Sequence, residues 1–485
     1  MSHALPANPS TAAPPSAPTR WRWGALVLLC VAQFMVILDV TVVNVALPAI
    51  GADLRLDRAT LTWVVTAYTL TFGGLLLLGG RLSDTIGRRR TFLIGLGLFT
   101  AASLASGLAE SGTALVVSRA AQGVGAALLS PAALSIVTTT FHGPERHRAL
   151  GIWAAIGSAG AAVGVLLGGA LTSGPGWEWA FFINVPVGVL VAALVPAMVP
   201  ATPRTRVEGR IDVLGAISVT AAVGLLIFGL IRAGDDGWDA ATTLMPLAGA
   251  VGFAALFVWV ERTARTPLVR LVVLTQRPLL AGSVVMFAAS GLLISAFFIT
   301  SLYLQHLLGF TALHTGLVFL PVAIAITIGA HLGSRAISQI GGRKVAVTGF
   351  ATAAVGAALL TRIPADGQVL TDVLPGFLLL AAGLGAAFVA ATTEALGHIP
   401  AQDAGLGSGV INTSHELGAA FGVAMMSTIA GASVAGSTVG GPPPVDGFQN
   451  AFLACAVVAV LTAVAALALL PAGRPPSTDG RVFAH

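Results

Sequence analysis

The chain has 485 residues, of which 56% are hydrophobic and 9% charged, with a mean hydropathy of +0.90. Soluble domains carry about 25% charged residues, so this composition excludes a soluble protein and specifies an integral membrane one. The net charge of +5 and isoelectric point near 10.2 suit a nucleic-acid partner only until the charges are placed along the chain.

Residues 1–19, rich in Pro, Ala and Ser, read as a disordered cytoplasmic tail. The apolar run that follows is too long for a cleaved signal peptide. Apolar segments of about 18–25 residues then recur to the end of the chain. They cover 24–48, 61–80, 91–109, 113–138, 149–172 and 179–199, then 211–231 and 243–260. The last six cover 279–303, 315–333, 345–361, 374–396, 407–430 and 449–470. The pattern predicts an all-α polytopic membrane protein of about fourteen transmembrane helices. The predicted division is a six-helix half over 20–200, two linking helices over 201–277, a second six-helix half over 278–471 and a cytoplasmic tail over 472–485. Cys30 and Cys455 fall inside apolar runs and read as small buried hydrophobes.

With the N-terminus cytoplasmic, the outer loops hold only Arg55, Arg58, Arg232 and Arg362 of the 25 basic residues. Arg119 lies within a helix; the remainder, including Arg204, Arg206, Arg210, Arg265, Arg270, Arg474 and Arg481, fall inside. That bias predicts both termini in the cytoplasm. It also accounts for the high isoelectric point and removes the case for nucleic acid.

Asp39 lies deep in the first apolar run, where a carboxylate costs roughly 2.5–3.5 kcal/mol on insertion scales. A residue kept there at that cost is a candidate for proton handling. Arg119 in the fourth segment lies roughly 9 Å below the outer end of its helix and Asp39 roughly 13 Å below that of the first, so the two can meet.

An internal repeat relates Gly80-Arg81-Leu82-Ser83-Asp84-Thr85-Ile86-Gly87-Arg88-Arg89-Arg90 to Arg335-Ala336-Ile337-Ser338-Gln339-Ile340-Gly341-Gly342-Arg343-Lys344. Aligning Gly87 with Gly341 sets Arg81 on Arg335, as duplicated halves would. The first of these loops resembles the G-x-L-[SA]-D-x-x-G-R-[RK]-[RK] signature of the major facilitator superfamily at Gly80, Leu82, Asp84, Gly87, Arg88 and Arg89. Gly80 and Gly87 would let the loop turn. The resemblance implies a cytoplasmic gate in which Asp84 braces the start of helix thirteen, near 406–409.

Leu38-Asp39-Val40-Thr41-Val42-Val43-Asn44-Val45-Ala46-Leu47-Pro48 resembles the first-helix signature of the fourteen-helix drug:proton antiporters, the EmrB/QacA-type branch. Arg119-Ala120-Ala121-Gln122-Gly123-Val124-Gly125-Ala126-Ala127 is similar to the family's R-x-x-Q-G-x-G-A-A motif, which implies that Arg119 shares in proton coupling with Asp39. Gly164, Gly168 and Gly169 resemble the antiporter motif G-P-x-x-G-G, with Val165 in place of its proline. Trp177-Glu178-Trp179-Ala180-Phe181-Phe182-Ile183-Asn184-Val185-Pro186 resembles W-R-W-x-F-x-I-N-x-P, with Glu178 replacing the arginine. The 404–422 stretch resembles the branch's A-G-x-x-S-G-x-x-N-T run and carries His415 and Glu416 at mid-membrane depth. Trp63 reads as an anchor at the outer face, and Glu394 as a carboxylate snorkelling to water from a helix end.

The resemblance implies a proton-coupled exporter of small amphiphilic compounds, such as drugs or antibiotics, in the plasma membrane. Asn44, Tyr68, His415 and Glu416 are its candidate cavity residues, and its partners are substrate, protons and lipid. A proton-coupled importer on the same fold is the alternative. No phosphate-loop sequence surrounds the single lysine, Lys344, so no ATP-binding domain is expected, and no cofactor, metal site or enzymatic cluster is expected either.

Overall fold

The computed structural model describes residues 19–200, 212–264, 271–397, 399–434 and 445–472. The predicted tails, Arg204, Arg206, Arg210, Arg265, Arg270, Arg474 and Arg481 lie outside those residues, as does the side chain of Val165. Every long element among the described residues is a helix. In chain order these are α1 (Thr19–Asp53), α2 (Arg58–Ile86), α3 (Arg88–Gly107), α4 (Gly112–Thr140) and α5 (Gly143–Ser173). They continue with α6 (Trp179–Met198), α7 (Val213–Asp236), α8 (Ala241–Thr263), α9 (Arg277–Leu307) and α10 (Ala312–Ile340). The last four are α11 (Gly342–Leu360), α12 (Leu374–Gly397), α13 (Ala404–Val434) and α14 (Val445–Leu469). Among the described residues, twelve helices are long and apolar enough to cross a membrane. The remaining two, α5 and α13, are each 31 residues long and pack among them.

Two helices run further than their hydropathy suggests. α1 continues through Pro48, which forfeits one backbone hydrogen bond, and ends at Asp53. There the Trp177 Nε1–H donates to the Asp53 carboxylate at 3.0 Å. Asp39 therefore lies about 21 Å from the end of its helix rather than 13 Å. α2 continues past Gly80 to Ile86, with the Ser83 hydroxyl donating back to the Gly80 carbonyl at 2.8 Å. The predicted turn at Gly80 is thus corrected: the chain turns only at Gly87, with φ +100°. Gly341 makes the same turn between α10 and α11 with φ +86°, as the sequence repeat requires.

α5 seats α1 through its small residues. A Cβ on Gly160, Gly164 or Gly168 would press on Ile37, Thr41 or Val45 of α1, whereas Gly169 is half-buried. α5 packs on α10, with Gly151 against Ser334, α2 packs on α13, and α7 lies across both α2 and α13.

Candidate functional site

Asp39 is fully buried, and four helices supply its surroundings. The Arg119 Nη1–H of α4 donates to Asp39 Oδ2 at 2.5 Å. The Gln122 and Asn184 side-chain amides each donate to Asp39 Oδ1 at 2.9 Å. Arg119 and Gln122 stand three residues apart on α4, which sets them on one face. Asn184 follows a one-residue break in α6 at Ile183. Ser103 of α3 closes the ring, receiving both amides, Gln122 at 3.1 Å and Asn184 at 2.9 Å, and donating to the Phe181 carbonyl at 3.0 Å. Arg119 also donates to the Gln122 side-chain oxygen at 2.9 Å and, through Nε, to the Val64 carbonyl at 3.3 Å.

A carboxylate and guanidinium taken wholly out of water hold together only where hydrogen bonds satisfy the remaining lone pairs and protons. Both Asp39 oxygens are so satisfied. Two orphaned polar atoms remain at the rim, the Asn184 side-chain oxygen and the Tyr68 hydroxyl.

Tyr68 corrects the sequence reading. Its side chain is 1% exposed and lies on the guanidinium, with the Arg119 Cζ at 4.3 Å from the ring centroid. Cation–π attraction in this buried setting holds the ring on the ion pair. Asn44 is exposed, about one and a half turns beyond Asp39, and stands outside the cluster.

His415 and Glu416 lie together on α13, with His415 Nδ1 at 3.2 Å from Glu416 Oε1 and side chains 39% and 23% exposed. Ser290 of α9 donates to the His415 carbonyl at 2.7 Å, and Phe388 of α12 sits 5.9 Å from the imidazole ring. Glu416 packs beside Gly73 of α2.

A second arrangement ties the two halves at the arginine-rich end. The Asp84 carboxylate accepts the backbone N–H groups of Gly405 and Leu406 at 2.8 Å each, at the start of α13. Helix N-termini carry unpaired N–H groups and positive dipole ends, so an anion there is favoured. Arg88 donates to the Ala401 carbonyl across the same seam and to the Thr139 hydroxyl at 3.1 Å. Arg89 instead caps α6, donating to the Val199 carbonyl at 3.1 Å, and so acts within the first half. Gly80 has no room for a side chain because the Gly405 carbonyl lies against it. Arg146 of α5 adds a bond to the Leu396 carbonyl at 2.7 Å. Glu394 does not reach water as the sequence suggested. It is 4% exposed, its carboxylate packed on Gly342 at the N-terminus of α11.

At the opposite end α7 stands between α2 and α13. Trp63 of α2 stacks on Phe228 of α7 at 6.0 Å, and the Trp238 Nε1–H beyond α7 donates to the Thr428 hydroxyl of α13 at 2.8 Å.

Sequence reasoning missed Gln122, Asn184 and Ser103 as members of the Asp39 cluster. Gln122 and Asn184 stand inside the recognised motifs, which was signal enough; Ser103 carries none.

Two sets of helices tied at the arginine-rich end, with a buried ion pair inside the first set, define a polytopic helical membrane fold. The Major Facilitator Superfamily profile matches residues 29–423, and the chain belongs to that family as a multi-pass membrane protein. It is 38% identical over 464 residues to the cephamycin export protein CmcT of Amycolatopsis lactamdurans, covering 93% of this chain and 94% of that one. It is 37% identical to the puromycin resistance protein pur8 of Streptomyces alboniger, covering 93% and 92%. It is 39% identical to the lincomycin resistance protein of Streptomyces lincolnensis, covering 86% of each. Among solved structures the fold matches the human organic anion transporter MFSD10 with TM-score 0.64 and 15% identity, covering 93% of this chain and 100% of that chain. The proton:xylose symporter XylE matches with TM-score 0.65 and 13% identity, covering 95% and 98%.

Proposed function

We propose that the chain is a proton-coupled exporter of small amphiphilic compounds of the antibiotic class, in which Asp39 takes and releases the proton under the control of Arg119. All fourteen long helices cross the plasma membrane with both termini cytoplasmic, and a gate at the Asp84 end alternates with one at the outer end. The proton gradient is the energy source, with no cofactor, ATP-binding domain or enzymatic step.

The observation that carries this reading is the fully buried Asp39–Arg119 pair, a charge arrangement that a purely structural membrane helix has no need to hold. The names of the relatives, an export protein and two resistance proteins, support outward transport of antibiotics. In proteoliposomes with an imposed pH gradient, the wild type is expected to accumulate puromycin or ethidium against its gradient and Asp39→Asn is not. Undiminished driven transport by Asp39→Asn would remove the coupling role, and uptake in the opposite sense would make the protein an importer.

A further inference from the structure

Asn184 meets the Asp39 cluster with one end of its amide only. Its Nδ2 donates to Asp39 Oδ1 and to the Ser103 hydroxyl, each at 2.9 Å. Its Oδ1 is buried without a hydrogen-bond partner, in a side chain 1% exposed. A buried acceptor left unpaired is costly, yet the reverse orientation would set that oxygen against a charged carboxylate. The orientation therefore suits an ionised Asp39 and no other form of it.

Gln122 donates to the same Asp39 oxygen at 2.9 Å, but both ends of its amide are engaged. Its Oε1 accepts from the Arg119 Nη1 at 2.9 Å and from the Ser106 hydroxyl at 3.3 Å, and its Nε2 also reaches Ser103 at 3.1 Å. A half-turn of Gln122 would set its N–H groups against the guanidinium. A half-turn of Asn184 breaks no bond at the far end of its amide, and such terminal torsions are broad and roughly two-fold.

Among the described residues, the charged and titratable groups set against Asp39 are Arg119 of α4 and, stacked on it, Tyr68 of α2. α3 brings Ser103, α6 brings Asn184, and α5 brings Gly160, Gly164 and Gly168 to its seam with α1. Asp39 Oδ2 holds Arg119, which leaves Oδ1 to take a proton. An acid O–H at Oδ1 needs an acceptor, and of the two amides beside it only Asn184 has an oxygen free of other bonds.

We propose that Asn184 is the switching partner of Asp39, its amide donating to the carboxylate and turning over to accept from the acid. This inference rests on the proton-coupling role proposed above. A hydronium ion gives its proton to Asp39 Oδ1, forming one O–H bond and leaving water, while Arg119 keeps its charge. The Asn184 oxygen then receives the Asp39 O–H, and the Ser103 hydroxyl turns from the Phe181 carbonyl to the same oxygen. The acid stays in place beside Arg119, so the proton is held inside the first half before any helix moves.

Infrared difference titration of the full chain in nanodiscs tests the switch, with the carboxyl band assigned by Asp39→Asn and asparagine isotopically labelled at its side-chain carbonyl. The Asp39 protonation spectrum is expected to contain a label-sensitive amide band. That band is expected to vanish in Asn184→Gln, whose amide lies outside the label. A spectrum without the band would overturn the switch and leave proton uptake at Asp39 standing; a band that survives Asn184→Gln belongs to another asparagine and would overturn it too. Proton affinities supply a second reading. Gln122→Ala removes a donor that serves only the carboxylate, and is expected to tighten proton binding about tenfold. Asn184→Ala removes a partner of both forms, and is expected to change it by less than about threefold. Equal tightening by the two would make Asn184 a fixed donor and overturn the inference. An Asp39 that takes no proton anywhere between roughly pH 4 and 9 would overturn the coupling reading and this inference together.

Discussion

The Asp84 carboxylate of α2 receives the backbone N–H of Leu406 at 2.8 Å, 322 residues away in the chain, and so pins the start of α13 to the end of α2. Its second oxygen takes the Gly405 N–H at the same distance. A hydrogen bond to an ionised acceptor contributes about 1.5–3 kcal/mol, and the helix dipole adds to it. Asp84→Asn retains one acceptor oxygen and loses the charge. The basic end is expected to open about tenfold more often, the equivalent of roughly 1.4 kcal/mol. Ser408, fully buried beneath this contact, reports it: a cysteine there is labelled by a maleimide about tenfold faster in the Asp84→Asn background. Equal labelling rates would mean that the bond is no latch.

Gly80 tests the same seam by volume. A Cβ there meets the Gly405 carbonyl and the Gly409 Cα, both backbone atoms that cannot rotate away. Gly80→Ala is expected to separate α2 from α13 and to raise Ser408 labelling at least as far as Asp84→Asn does. Gly97→Ala on α3, where an added Cβ meets nothing, serves as the control. It is expected to leave labelling unchanged, with at most about 1 kcal/mol gained in helix propensity.

Arg119→Ala strands the fully buried Asp39 carboxylate. Breaking a buried pair from one side costs about 3–5 kcal/mol. The thermal unfolding midpoint in detergent is expected to fall sharply for Arg119→Ala. The double variant Asp39→Asn/Arg119→Ala is expected to recover most of that loss, because no charge is left unpaired. Failure of the second substitution to restore stability would show that packing of the arginine against Tyr68 and Phe181 matters more than its charge.

Asp57, outside the membrane-spanning part of α2, caps that helix by accepting the Thr60 N–H at 3.0 Å. The Thr60 hydroxyl and then its N–H hold the Asp57 carboxyl below its ordinary range. A carboxylate depressed in the folded state contributes at pH values above its unfolded range and loses that contribution as the pH falls through the folded one. Protection of the Thr60 amide from hydrogen exchange is therefore expected to be flat across neutral pH and to fall only in acid. Asp57→Ala is expected to lack the acid-dependent step.

The parts of the site visible in the sequence were those that a local pattern can carry. Asp39 and Arg119 stood out because a charge in an apolar run is costly wherever the helix turns. The bond from Asp84 to Leu406 followed from a signature whose spacing is kept in a single stretch. Gly80 misled because a glycine before a basic cluster suits both a turn and a close helix contact, and only the opposing Gly405 carbonyl separates the two. Glu394 misled similarly, since a carboxylate near a helix end can face either water or a neighbouring helix N-terminus.

The sequence alone determined that this chain lives in a membrane, how its apolar segments divide, and which few charges stand among them. Hydropathy and chain-local motifs encode those properties directly. Tertiary structure alone decided that Ser103, Gln122 and Asn184 surround Asp39, and that the Tyr68 ring lies on Arg119. The physical reason is that helices apolar on nearly every face carry no strong azimuthal signal. Their rotation about their own axes is set by small residues meeting across the seams and by buried polar groups finding partners, and both depend on elements far apart in the chain.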